Sequence, residues 1–230
     1  MRPTTETFEK WNEEHAKKHD LDEFYNHPNP VFRYIENKRI KRLIELADIK
    51  ADDKVIEVGC GAGHILERIK QGKLYGIDIS EVQIKRAKER LGSRVNLQKT
   101  PGENIPFEDK FFDKILCSEV IEHVLDPVAL LKEMRRVLKD DGILSLSIPN
   151  ENLINTAKKV LRATGLIRLV EPKKTKWDLA SKDNLDEWHL HEFNLDLIKK
   201  YIDGLFMIEK TAAITNPLVP FRYVLKLRKV

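Results

Sequence analysis

Five short β-rich runs recur along the chain with helical stretches between them: KVIEVG (54–59), LYGIDI (74–79), VNLQKT (95–100), FDKILCSE (112–119) and GILSLSIP (142–149). Alternation of this kind points to an α/β fold with a parallel, doubly wound sheet, whose ligands bind at the carboxyl ends of the strands. Two of the helical stretches mark their own ends. SEVQIKRAKERLG opens on Ser80 as N-cap, with Gln83 at the capping-box position, and stops at Gly92; PVALLKEMRRVLKDDG begins with Pro127 and ends before Gly142. Two later runs, FMIEKTAAI (206–214) and FRYVLKLRK (221–229), lack a helix-length connection and predict a closing antiparallel hairpin.

The rest of the 230 residues fits around that core as one domain. Residues 1–50 read as a cap of two helices. The second has Asn29 as N-cap and Pro30 at N1, with Val31, Phe32, Ile35, Leu43, Ile44 and Ala47 as its apolar side. Residues 51–150 form the core, 151–190 a lid insertion, and 191–230 the last helix, capped by Asn194, and the hairpin. Only two cysteines occur, Cys60 and Cys117, so a disulfide framework is not expected. No apolar leader or membrane-length run is present, and the expected setting is cytoplasmic. A net charge of +4, from 41 basic and 37 acidic residues, is too small to argue for nucleic acid.

The first run ends in VIEVGCGAGHI, a G-x-G-x-G loop with His64 where a dinucleotide fold would place its last glycine. Glu57 stands two residues before the first glycine. A carboxylate there repels a pyrophosphate and welcomes an ammonium group, which points to a ligand with an amino-acid moiety. Asp78 ends the second run, where an acid can accept from both ribose hydroxyls. TPGENIPF after the third run suits an adenine ring.

These stretches, with GIDIS, GENIPFEDKFFDKILCSEVIEHV and LKDDGILSLSIPN in order and spacing, resemble the class I S-adenosylmethionine-dependent methyltransferases. The resemblance implies a Rossmann-like seven-stranded, mostly parallel sheet of order 3-2-1-4-5-7-6 with helices on both faces. It also implies S-adenosylmethionine as cofactor and S-adenosylhomocysteine as product. By carry-over, Gly59, Cys60 and Gly61 approach the methionine part, Asp78 the ribose and Ile79 the adenine. Gly102 and Glu103 lie at the adenine edge, and the Cys117–Ser118 backbone near the methionine. Pro101 stands where relatives often have an adenine-binding acid, so that contact is not assigned.

SEVIEHV (118–124) puts Glu119, Glu122 and His123 within five positions, and on a helix the three would share a face. The face reads as a metal site, as a base with helpers, or as the acidic first turn of a helix. The E-x-x-E-H pattern, NPVFRYI with Arg33, and HLHEFN resemble the ubiquinone-biosynthesis O-methyltransferases, in which the two glutamates and the histidine are implicated in binding a divalent cation such as Mg²⁺. The pattern also resembles that of small-RNA 2′-O-methyltransferases. His123 is the first choice for a chemical role, with Glu119 beside it. His189 and His191 alternate, and His191 is the better candidate by resemblance. His64 reads as a helix-surface residue.

In the insertion, Leu153, Ile154, Ala157, Val160 and Leu161 form one helical stripe. From 152 to 176, seven basic residues face the single acid Glu171. A lid and a peripheral membrane contact both fit this pattern. No aromatics are interleaved with the lysines, which argues against RNA. The expected function is O-methylation of a small apolar or phenolic acceptor. RNA 2′-O-methylation and cofactor binding without catalysis are the alternatives.

Overall fold

The computed structural model describes residues 3–165, 189–216 and 219–230. Seven strands, β1 (Lys54–Val58), β2 (Lys73–Asp78), β3 (Val95–Lys99), β4 (Phe112–Ser118), β5 (Leu138–Pro149), β6 (Phe206–Asn216) and β7 (Val219–Lys229), form one sheet of order β3-β2-β1-β4-β5-β7-β6. The first five are parallel, and β7 runs antiparallel between β5 and β6. Val58 pairs with both Ile77 and Cys117, so the carboxyl ends of β1, β2 and β4 stop level with one another. That register brings Gly59, Asp78 and Ser118 to a single edge.

Helices cover both faces. Ile40 and Leu43 of α3 (Pro30–Ala47) and Ile84 and Ala87 of α4 (Glu81–Leu91) share one apolar cluster with β1 and β2. Leu130, Leu131 and Met134 of α5 (Pro127–Val137) and Ile198 and Ile202 of the C-terminal helix α7 (Leu195–Ile202) fill the other. The caps hold these helices where the sequence puts them. Asn29 accepts from Val31 and Phe32 N–H, Asp126 from Val128 and Ala129, and Asn194 from Asp196 and Leu197. Ser80 accepts from Gln83 N–H, the first half of the expected capping box.

Several expected boundaries move. The N-terminal cap holds three helices, α1 (Phe8–Lys18), α2 (Leu21–Tyr25) and α3, because Asp20 starts a new short turn. The buried side of α3 carries Glu36 and Arg39 with Ile40, Leu43, Leu46 and Ala47, while Val31 is exposed. A 3₁₀ turn (Leu66–Arg68) is the only helix between β1 and β2, and none joins β3 to β4. α5 stops at Val137, since Leu138 turns inward to pair with Phe112 and starts β5 early. The start of the insertion forms α6 (Glu151–Ala163), but most of the basic stretch 152–176 lies outside the described residues. Among the described residues, no helix is long and apolar enough to cross a membrane.

Glu36 and Arg39 are 2% and 1% exposed, and Arg39 Nε and Nη2 donate to Glu36 Oε2 at 3.0 and 2.8 Å. Replacing one member of such a pair leaves a charge buried without its partner. Arg39→Met is therefore expected to cost about 3–5 kcal/mol in urea unfolding. Arg42→Ala, which removes the exposed pair to Glu45, should cost about 0–1 kcal/mol.

Candidate active site

A cavity of about 910 Å³ opens along the carboxyl edge of the sheet. Its first end is built by the loop after β1. Gly59 has φ +71°, and a Cβ there would overlap Val120, so both the turn and the close approach of the 120 segment require glycine. Cys60 N–H donates to Ile77 O, tying the loop to β2. Asp78 Oδ2 accepts from Gly61 N–H at 2.8 Å and Oδ1 from Ser80 N–H at 2.9 Å. Burial raises the Asp78 pKa against these two amides. Glu57 is buried and its Oε2 has no hydrogen-bond partner; burial, against the nearby Arg39 charge, pushes its pKa well up. A buried acid of this kind fits an incoming cation, so the residues present suit the ammonium end of an amino-acid ligand.

The middle of the floor is a closed ring of charges and hydroxyls. Arg39, already paired with Glu36, donates to Ser118 Oγ and, at 3.3 Å, to Ser147 Oγ. Ser147 donates to Glu119 Oε1 at 2.9 Å, and Arg222 Nε donates to Glu119 Oε2 at 2.8 Å. Arg222 Nη1 lies 3.2 Å from Glu36 Oε1, which completes the circuit. Burial opposes ionisation of Glu119, yet Arg222 and Arg39 outweigh it and bring its pKa down to about 2.

The far end of the cavity has another acid. Neither Glu122 oxygen has a hydrogen-bond partner, and burial followed by repulsion from Glu119 raises its pKa well above the carboxylate range. One ligand atom each from Glu122, His123 and His189 lie within 4.8 Å of one another. His189 Nδ1 is 2.5 Å from Glu151 Oε1, which orients the ring. The segment after the insertion is fastened here by its backbone, since Leu190 and His191 N–H both donate to Glu122 O.

The stretch 119–125 is a turn, with His123 N–H bonded to Val120 O, so the expected helical face does not form. Glu119 leaves β4 with φ +53° and turns to Ser147 and Arg222, while Glu122 and His123 point toward His189. The expected trio is thereby split, and His189 stands where Glu119 was expected. His191 faces the other way: its Nε2 is 3.0 Å from Val124 O, and it does not line the cavity. The bend at Leu190 breaks the extended geometry that would have kept both histidines on one side.

Arg33 also stands off the cavity wall, donating to His27 and Pro28 carbonyls. Cys60, Ile79, Gly102, Glu103 and Ser118 line the cavity, and Cys117 is buried behind it. His64 is buried rather than on a helix surface. Glu36, Arg39, Glu151 and Arg222 were not legible as site residues. For the first two a signal existed, because positions 36 and 39 continue the apolar stripe of 40, 43 and 47.

The family described as a methyltransferase domain matches residues 56–146. The chain is 29% identical over 152 residues to a ubiquinone biosynthesis O-methyltransferase of Nitrosomonas europaea, covering 62% of this chain and 65% of that one. It is 32% identical over 163 residues to the protein of that name from Histophilus somni, covering 64% and 67%. The match thus spans just under two thirds of the Nitrosomonas relative's own length. Among solved structures, the N-methyltransferase NodS of Bradyrhizobium japonicum, in complex with S-adenosyl-L-homocysteine, superposes with a TM-score of 0.67 at 16% identity over 97% of this chain and 98% of that one. The chain belongs to the class I S-adenosylmethionine-dependent methyltransferase family.

Because folding holds the Glu119 pKa below its ordinary 4.5, at about 2, its ionised form stabilises the native state above pH 4.5. That contribution is lost as pH falls from 4.5 toward 2. Urea midpoints measured across this window should drop with acid, and Arg222→Met should flatten the Glu119 share of the slope.

Proposed function

We propose that this protein is an S-adenosylmethionine-dependent methyltransferase acting on the hydroxyl of a small apolar or phenolic acceptor. One observation carries the reading: a single cavity has at each end a buried acid with hydrogen-bonding capacity left open, Glu57 Oε2 beside the glycine loop and both Glu122 oxygens beside two imidazoles. The first suits the ammonium group of the cofactor, and the second suits a cation or an acceptor proton. S-adenosylmethionine, when bound, supplies an electrophilic methyl group and leaves as S-adenosylhomocysteine.

On this reading Glu57 takes the ammonium and Asp78 the ribose hydroxyls, with Ile79, Gly102 and Glu103 along the adenine. In-line transfer to oxygen needs no covalent enzyme intermediate, so the protein's tasks are alignment and removal of the acceptor proton. Ile154, Ala157 and Leu161 of α6 give the acceptor side an apolar wall, which supports the lid reading of that helix.

A divalent cation fits the acceptor end. Glu122, His123 and His189 would hold it, and it would lower the pKa of an acceptor hydroxyl there. A mixed oxygen and nitrogen set suits Mn²⁺, Fe²⁺ or Zn²⁺ no less than Mg²⁺. A metal-free reading is favoured by a different contact. The carboxylate of Glu151 against His189 is the arrangement that orients an imidazole as a base.

Purified protein incubated with methyl-labelled S-adenosylmethionine and a cell extract should place label in the organic fraction. Loss of that label with EDTA supports the metal, and its persistence supports His189 as base. His189→Ala should lower turnover about 10²–10⁴-fold with cofactor affinity unchanged. Label recovered in RNA would favour the nucleic-acid alternative. Absence of label with S-adenosylhomocysteine binding intact would favour a binding protein.

A further inference from the structure

His64 occupies the loop position at which a dinucleotide fold needs glycine, and the residue is 7% exposed. Its Nε2 lies 2.8 Å from Asp22 Oδ1 on α2. The same oxygen accepts from Arg90 Nη2 on α4, while Arg90 Nε donates to Ala62 O inside the glycine loop at 2.9 Å. Tyr25, at the other end of α2, packs its ring on the His64 ring with centroids 4.4 Å apart. A Cβ at Gly61 would lie 2.7 Å from Leu21 Cδ1, so α2 rests directly on the loop. Leu21, Tyr25 and His64 all line the cavity at its cofactor end.

α2 buries none of its five residues fully, although Phe24 meets the Phe32 ring edge-on and Tyr25 packs against the cluster under α3. Asp22 and the Tyr25–His64 contact, beside Leu21, are the links that tie it to the glycine loop. We propose that His64 is a positioning residue which, with Asp22 and Arg90, clamps α2 across the glycine loop, so that S-adenosylmethionine and S-adenosylhomocysteine exchange only when the clamp opens. This inference rests on the cofactor reading given above. Its chemistry is a latch of one carboxylate shared by an imidazole and a guanidinium, placed over the methionine end of the cofactor and remote from the acceptor cluster.

The test compares wild-type protein, Asp22→Ala, His64→Ala and the double variant by rapid-filtration kinetics with labelled S-adenosylhomocysteine. A gate governs entry and exit alike, so opening it should raise the association and dissociation rates together by roughly tenfold, leaving Kd within about threefold. The double variant should add little to either single change. Lys110→Ala, which removes an exposed ion pair to Asp140, should leave both rates as they were. A rise in dissociation alone would mean that a binding contact was lost, and it would overturn the gate, as would unchanged rates.

Hydrogen exchange of the 21–25 amides in cofactor-free protein gives a second readout, with faster exchange expected in Asp22→Ala. If wild-type protein binds no S-adenosylhomocysteine, the methyltransferase reading fails. The exchange experiment then decides the clamp alone, and unchanged exchange in Asp22→Ala would overturn it.

Discussion

Glu36, Arg39, Glu119 and Arg222, joined through Ser147, close a ring beneath the cavity, and its five residues come from four separate places in the chain. α3 supplies Glu36 and Arg39, the turn after β4 supplies Glu119, β5 supplies Ser147 and β7 supplies Arg222. Two positive and two negative charges make the ring neutral, so the charges are compensated within it and need no outside counter-ion. Low dielectric strengthens every link and makes each one costly to remove alone. The antiparallel β7 is inserted between β5 and β6, and the ring ties it to the glutamate that begins the turn after β4. Glu119 consequently sits in the left-handed region, a conformation that a non-glycine residue keeps only when its surroundings hold it.

With Glu119 committed to that ring, the cavity divides into two chemistries. At the glycine loop a buried acid with an open oxygen, Glu57 Oε2, faces the space left by absent side chains. At the turn a second such carboxylate meets two imidazoles, one of them carried in by the segment that follows the insertion. The two acids are kept apart by the arginines between them. On the proposed reading, one end takes the ammonium group of the cofactor and the other the acceptor proton.

The sheet was readable because its evidence is local. Short β-branched runs, capped helices and a glycine loop each state their conformation within a few residues, and the strand order follows from the family those motifs resemble. The cavity lining was most readable where it depends on backbone ends, as with Gly59, Asp78 and Ser118. It was misread where it depends on side-chain direction. Spacing of 119, 122 and 123 suggests a shared helical face, but a tight turn after β4 sends Glu119 one way and Glu122 another. Likewise, alternation at 189 and 191 suggests a shared side, but two N–H groups converging on the Glu122 carbonyl bend the chain between them. Arg33 is named by the resemblance of NPVFRYI, whereas Arg39, the arginine that lines the cavity, stands with Glu36 as a charged pair on an otherwise apolar stripe. His64 was assigned to a helix that does not form.

The excursion that begins with α6 leaves and re-enters the fold at one place. Glu151 N–H donates to Phe193 O, Asn150 Nδ2 to Pro220 O, and the Glu151 carboxylate meets His189. Its two roots are therefore fastened to each other as well as to the sheet. A segment anchored in this way behaves as an interchangeable cassette: its length and composition can change while the distance between its ends does not. On the proposed reading, acceptor preference diverges through that cassette while the glycine-loop end stays as it is. A chimaera joined at these roots would carry a foreign wall on an unaltered cavity floor.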